Sequence, residues 1–400
     1  MQSQIENRKS KIAIAIAIAG AGPAGSSLAI RLAQAGFETV LIEREKFPRQ
    51  KLCGEFISPE CFSQFQSLGV LEGMMDAGGD RILETRFFET GGRSVVVPTN
   101  WFGRGDFALS LSRAEMDAQL LERARAVGVV VVEETAVIGA ESADGRIDSL
   151  KARGANGEAS EIKADIFVDA TGRSRIIAKV LEKKDNPTAA RSKPTLVGFK
   201  THMKGVDLAN GLCEIYSFPG GYAGLSHVEN DLFNLCFLLK AATVRSAGSD
   251  ADEIVRKVVR RNKRAFVTLQ NSSSADSWLA VSIDSFGTKA PAAAANLFTV
   301  GDAAAFIDPF TGSGMVMALE SAELLANAIA ANGSSSETVA ADYLGAYRKK
   351  FSNRLRVCSL LRRTAFMPNL ATGIVSLLGV SATARRGLAR ATRGPHSGSF

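Results

Sequence analysis

The chain has 400 residues, room for about two or three domains, and its 46% hydrophobic and 22% charged residues exclude a disordered, collagenous or disulfide-scaffold protein. Five cysteines without a CxxC pair point to a reducing compartment, and His202, His227 and His396 lie too far apart for an HExxH or HxH motif, so no metal is expected. The net charge of +7 belongs to the end of the chain: Tyr343 to Phe400 holds 11 Lys and Arg without an acid, leaving 37 basic against 41 acidic residues elsewhere, and no nucleic-acid module is visible.

Arg8-Lys9-Ser10-Lys11 and the apolar run to Ala19 have the outline of a secretory signal. The run ends in glycines and not in a cleavage site, and no other stretch reads as a membrane span, so a cytoplasmic protein is expected. Ile12, Ile14, Ile16 and Ile18 alternate with alanines, which makes both faces apolar and predicts a strand buried inside a parallel sheet. Gly20-Ala21-Gly22-Pro23-Ala24-Gly25 forms the turn. Leu28, Leu32 and Ala35 continue at helical spacing to a stop at Gly36, and Thr39 to Glu43 reads as the second strand of a β-α-β unit.

In such a unit the first glycine makes the tight turn, the second admits a pyrophosphate to the backbone, and the third lets helix and strand pack closely. The helix amino end supplies the anion site. Glu43, 18 residues after Gly25, would accept from an adenosine ribose and repel a 2′-phosphate, favouring FAD or NAD over NADP here.

Ser112-Arg113-Ala114-Glu115 has capping-box spacing and opens a helix to about Ala126. Gly128, the strand Val129 to Val132, an Asp144-Gly145 hairpin turn and the strand Ile166 to Val168 follow. From Thr195 to Phe286 the pattern changes to strands at Leu196 to Met203, Leu212 to Phe218, Tyr222 to His227 and Leu232 to Leu239, which predicts a largely antiparallel second domain. Leu297 to Val300 returns to a buried strand, Gly301-Asp302 follows, and Met315 to Ala331 reads as a long helix. The first domain is therefore discontinuous.

Gly301-Asp302, Pro309 and Thr311-Gly312-Ser313-Gly314 before a long helix resemble the FAD-dependent family of aromatic-ring hydroxylases, flavin halogenases and geranylgeranyl reductases. Asp169-Ala170-Thr171-Gly172 matches that family's aspartate-glycine element, and Arg113 its arginine near the ribityl or pyrophosphate. The resemblance spans about residues 10 to 330. It implies an α/β fold: a discontinuous Rossmann-like FAD-binding domain with an inserted, largely antiparallel β-sheet substrate domain and a C-terminal helical segment. The boundaries are 10–190, with some strands of the substrate domain, and 291–335 for the FAD domain, 191–290 for the insert and 336–400 for the basic segment.

The implied cofactor contacts are Gly20, Gly22, Pro23, Ala24, Gly25, Glu43, Arg44, Arg113, Asp169, Gly172, Gly301, Asp302, Pro309, Gly312, Ser313, Gly314 and Met315. Asp302 would hold the ribityl chain, and the helix behind Gly312 would point its positive end at the flavin pyrimidine. Phe47-Pro48-Arg49-Gln50-Lys51-Leu52-Cys53-Gly54-Glu55 resembles the geranylgeranyl-reductase-like branch associated with polyketide pathways, whose cysteine lies near the flavin. Cys53 is therefore the candidate catalytic residue, with small-residue packing as the alternative. Arg49 and Lys51 either approach phosphate or substrate or belong to a solvated loop. Tyr222 is the candidate substrate contact, although the aromatic motif of the reductases is not kept around it, and the halogenase tryptophan motif and lysine are also not apparent.

No GxSxG elbow, GxxxxGK[ST] loop or second GxGxxG is present, so hydrolase and kinase chemistry and a resident nicotinamide are excluded. The expectation is an FAD-dependent monooxygenase using NAD(P)H and O2 on a small apolar, aromatic or polyketide-like substrate. The alternatives are a reductase of carbon–carbon double bonds and a non-catalytic lipid-binding escort. In the basic segment, Leu344, Tyr347, Phe351 and Leu355 share a helical face that docks on the body while Arg348, Arg354 and Arg356 stay wet. A peripheral-membrane or acidic-carrier contact, with Met367 to Thr383 followed by Arg385, Arg386, Arg390 and Arg393, is the alternative to docking alone.

Overall fold

The computed structural model describes residues 15–102, 105–185, 194–283, 286–333, 335–365 and 386–387. Ala15–Ala19 lies in parallel register between Ile166–Asp169 and Glu38–Ile42. Ile16, Ala17, Ile18 and Ala19 are all withdrawn from water, as a strand covered on both faces requires; Ile12 and Ile14 fall outside the described residues. Leu297–Thr299 and Val130–Val132 extend the sheet on its two sides, and an antiparallel Ala292–Ala294 makes six strands. The helix Pro23–Gln34 crosses between the first two strands, and Gly36 beyond it sits at φ 89°, the left-handed position of a helix stop.

Gly314–Asn332 packs beside that helix, with Val316, Leu319, Ala322 and Leu325 in the same core as Leu28 and Leu32. Its length and composition would suit a membrane span, but its apolar side chains fill this core instead.

A second sheet runs in the order Ser273–Ser274, Leu196–Lys204, Phe233–Lys240, Gly221–His227, Leu212–Phe218, Glu84–Phe88 and Ser94–Pro98, with Leu279–Ile283 also on Leu196–Lys204. It is antiparallel except where Glu84–Phe88 meets Leu212–Phe218. Alternation sorts its side chains. Phe199, Met203, Tyr216, Leu225, Leu235 and Phe237 pack against the short helices around Ile254 and Ala265. Lys200, His202, Tyr222 and Asn234 emerge on the other face, where they meet Glu55, Asp308 and Cys53 of the glycine-loop side.

Two local expectations are corrected. Ser112 caps its helix by accepting the Glu115 N–H at 3.1 Å, but the reciprocal acceptor for the Ser112 N–H is Glu229 at 3.0 Å, reaching from a hairpin of the second sheet, while Glu115 binds Gln119. In the helix Ser336–Ala365 the buried row is Tyr343, Tyr347, Phe351, Arg354 and Cys358, with Leu344 and Leu355 only partly covered. This row wins because three aromatic rings pack edge to face along it, at 5.7 and 4.7 Å between centroids, and the Tyr343 hydroxyl donates to the Thr299 carbonyl at 2.8 Å. Arg354 is buried against Glu320 and Glu60 and does not stay wet. Met367 to Thr383, Arg385, Arg390 and Arg393 lie outside the described residues.

Candidate active site

The three loop glycines are used differently. A Cβ on Gly20 would come within 2.5 Å of the Ala170 carbonyl oxygen, and one on Gly25 within 1.9 Å of the Gly20 carbonyl oxygen, so both are required by the chain's own packing. A Cβ on Gly22 would meet only the Arg113 guanidinium, at 3.9 Å. Gly22 is also the N-cap of Pro23–Gln34, a helix with neither a side-chain cap nor an acid in its first turn. An open glycine, an uncapped helix start and a facing guanidinium fit a pyrophosphate.

Glu43 binds this loop directly. Its Oε2 accepts the Ala21 N–H at 2.8 Å and its Oε1 that of Arg44 at 3.0 Å. Arg44 itself turns to Glu45 at the exposed edge and does not join the cluster. Arg49 is no solvated loop residue: it is buried, donating to Asp117 at 2.8 Å with Glu43 3.7 Å away. Lys51 is partly exposed near Glu45. Asp117 also accepts two bonds from Arg113, at 2.9 and 2.7 Å. One carboxylate thus orients two arginines. Burial works against the charge of Arg113, but Asp117 and the Cys53 sulfur more than restore it and raise its pKa.

Asp169 is fully buried and spends its oxygens on Thr171, Ile177 and Ala178, which makes it the cap of the Ile176–Asp185 helix. Gly172 follows at φ 65° with open space beside it. Gly301 packs tightly on Ala24, where a Cβ would lie 2.9 Å from the alanine methyl, so Asp302 is brought to the glycine loop. Burial pushes the Asp302 carboxyl up to about 6, against the opposing charges of Arg173 and Arg113. Pro309 is exposed, Gly312 takes φ 61°, Ser313 is buried at the start of the Gly314–Asn332 helix, and Met315 packs on its core.

The facing sheet has two ends. At the polar end Cys53 Sγ accepts the Glu55 N–H at 3.4 Å, and Asn234 donates to the Cys53 carbonyl at 3.2 Å. Glu55 pairs there with Lys200 and His202. At the apolar end Tyr222 packs edge-on against Phe310 and donates to Asp308 at 2.6 Å. Phe87 also meets Phe310, and Phe286 stacks on Phe306.

Sequence reasoning missed Asp117, Lys200, His202, Asn234, Asp276 and Asp308. Some signals were present: Asp117 stands one helical turn after Arg113, and Lys200 and His202 alternate with Phe199 and Met203 in a strand otherwise read as core. Asn234 and Asp276 carry no comparable local pattern.

A family described as "FAD binding domain" matches residues 13–355. A tryptophan 2-halogenase of Chondromyces crocatus is 25% identical over 77% of this chain and 59% of its own length. The flavin-dependent halogenase armH4 of Armillaria mellea is 28% identical over 78% of this chain and 64% of its own, so the chain spans about three fifths of these two relatives. A digeranylgeranylglycerophospholipid reductase of Methanothermobacter thermautotrophicus is 26% identical over 82% and 79%. Among solved structures, a geranylgeranyl bacteriochlorophyll reductase-like protein of Thermoplasma acidophilum shares the fold with a TM-score of 0.75 at 18% identity, covering 94% of this chain and 95% of that one.

Proposed function

The chain belongs to the FAD binding domain family, and from that premise we propose that it is an FAD-dependent oxidoreductase that hydroxylates an apolar aromatic or polyketide-like substrate, with NAD(P)H as reductant and O2 as co-substrate. The observation that carries this reading is the aromatic end of the sheet face, where Phe87, Tyr222, Phe306 and Phe310 surround the turn leading into the Gly314–Asn332 helix. Bound FAD supplies hydride acceptance and oxygen activation. The protein's residues bind it, orient the substrate and keep water away.

The amides of Gly22, Ala24 and Gly25 and the Arg113 guanidinium would hold the pyrophosphate, Glu43 the adenosine ribose and Asp302 the ribityl hydroxyls. The positive end of the Gly314–Asn332 helix would favour negative charge on the ring beside it. Tyr222 has its hydroxyl committed to Asp308, so it offers the substrate a ring and pins the turn that carries Phe310.

A second reading, reduction of a carbon–carbon double bond, is favoured by Cys53, whose sulfur sits between the Glu55 N–H and Arg113 at the polar end. Product analysis with alkylphenols and polyprenyl chains, using isotopically labelled O2 and NAD(P)H, separates the two. Labelled oxygen in the product supports hydroxylation; a saturated product formed without oxygen contradicts it. Under hydroxylation Cys53→Ala keeps most of its oxygen consumption, whereas under reduction it loses about two orders of magnitude or more in turnover while flavin binding stays intact.

A further inference from the structure

Glu55 is an unusual residue to find beside Cys53. Its side chain is fully buried yet charged, and its backbone takes φ 53°, a conformation that costs a residue with a Cβ. Oε1 meets Lys200 Nζ at 2.7 Å and accepts the Arg113 N–H at 2.8 Å, while Oε2 meets His202 Nε2 at 2.8 Å. On the far side of the imidazole, Nδ1 is 2.9 Å from Oδ2 of Asp276, whose side chain is 43% exposed. An unbroken series of titratable atoms therefore leads from water at Asp276 to a carboxylate two residues from Cys53.

The remaining neighbours hold this series in place. Lys200 also donates to Gln50 at 2.6 Å, and across the sheet it faces Cys236, a thiol that burial keeps protonated. Asn234, opposite His202 in register, fixes the Cys53 carbonyl. Burial alone would raise the Glu55 carboxyl, but His202 and Lys200 outweigh it and hold the group below the usual carboxylate range, so it rests ionised and ready to accept a proton. A brace would need only hydrogen bonds; an imidazole between two carboxylates can also take a proton on one nitrogen and release one from the other.

We propose that Asp276, His202 and Glu55 form a relay that carries protons from solvent to the Cys53 end of the site. The inference rests on the oxidoreductase reading, in which hydroxylation and double-bond reduction alike consume a proton with each NAD(P)H oxidised. Glu55, ionised at rest, takes the Nε2–H proton of a protonated His202 and passes it to the atom that the reaction leaves negatively charged. Glu55 is then a carboxylate again, and the ring is neutral with its proton on Nδ1. The ring turns to present that N–H to Glu55, and the bare nitrogen takes a proton that Asp276 draws from water. No electrons move, and the cluster returns to its starting charge.

The test has two arms. FAD-loaded protein is reduced anaerobically and then mixed with oxygenated buffer in stopped flow, where a pH-indicator dye follows the proton taken up as the flavin is reoxidised. His202→Gln keeps hydrogen-bonding capacity without titrating, and it should slow uptake by about tenfold or more with bound flavin unchanged. His202→Ala should be restored by added imidazole, which a structural brace would not predict. In flavin-free protein, nitrogen NMR of labelled histidine follows exchange of the His202 ring protons with water, and the surface change Asp276→Asn should slow it by about tenfold or more. Wild-type uptake in His202→Gln, or unchanged exchange in Asp276→Asn, overturns the relay. The second arm needs no cofactor, so it judges the relay even where the oxidoreductase reading fails.

Discussion

Gly22 and Gly25 stand in one turn but answer to different constraints. The space over Gly22 is open within the protein, so Gly22→Val should change folding stability by no more than about 1 kcal/mol while abolishing FAD binding, because the branched side chain fills the pyrophosphate cradle. Gly25→Ala should instead destabilise the flavin-free protein by about 3 kcal/mol or more through the clash with the Gly20 carbonyl. Urea unfolding and flavin fluorescence quenching separate the two effects, and flavin retained by folded Gly22→Val contradicts the assignment. Asp302→Ala removes an acceptor without adding a clash, so its loss in FAD affinity should stay near about 1.5 to 3 kcal/mol, smaller than that of Gly22→Val. Asp302 also makes a pH prediction. Its folded carboxyl titrates at about 6 against 3.8 for the free group, so its protonated form stabilises the fold at low pH, and that stabilisation is lost as pH rises through about 6. Asp302→Asn, neutral throughout, should exceed wild type in flavin-free stability by about 3 kcal/mol at pH 7, and most of the difference should be gone near pH 4.

The helix Ser336–Ala365 shows how an element can be legible while its contacts are not. Helical periodicity and an apolar stripe were visible, but the stripe through Leu344 and Leu355 and the row through Tyr343, Arg354 and Cys358 differ by a fraction of a turn, and only tertiary packing chooses between them. Glu320 and Glu60 draw Arg354 inward. Arg354→Ala should therefore cost about 3 kcal/mol or more by leaving buried Glu320 with less compensation, whereas exposed Arg348→Ala should stay within about 0.5 kcal/mol; equal, small effects in urea unfolding would argue against the buried pairing. The Ser112 cap teaches the same lesson, since its partner Glu229 is 117 residues away and no local spacing announces it.

At the scale of the whole molecule, the parallel sheet, the crossing helix and the inserted antiparallel sheet were readable, because buried strands and glycine turns write local patterns. Gly22, Arg113, Gly172 and Asp302, which we propose hold FAD, stand in motifs that the sequence itself displays. What stayed hidden was the cluster of Glu55, Lys200, His202 and Asp276, assembled from three separate stretches of chain by the packing of one sheet face on the Cys53 segment. Burying those charges needs mutual compensation, which is a property of the fold and not of any single segment. All of these residues are read around one bound group. The most direct measurement is therefore the flavin content of the purified protein after titration with FAD: the account predicts a yellow protein that releases stoichiometric FAD on denaturation, and a folded protein that takes up no FAD would contradict it.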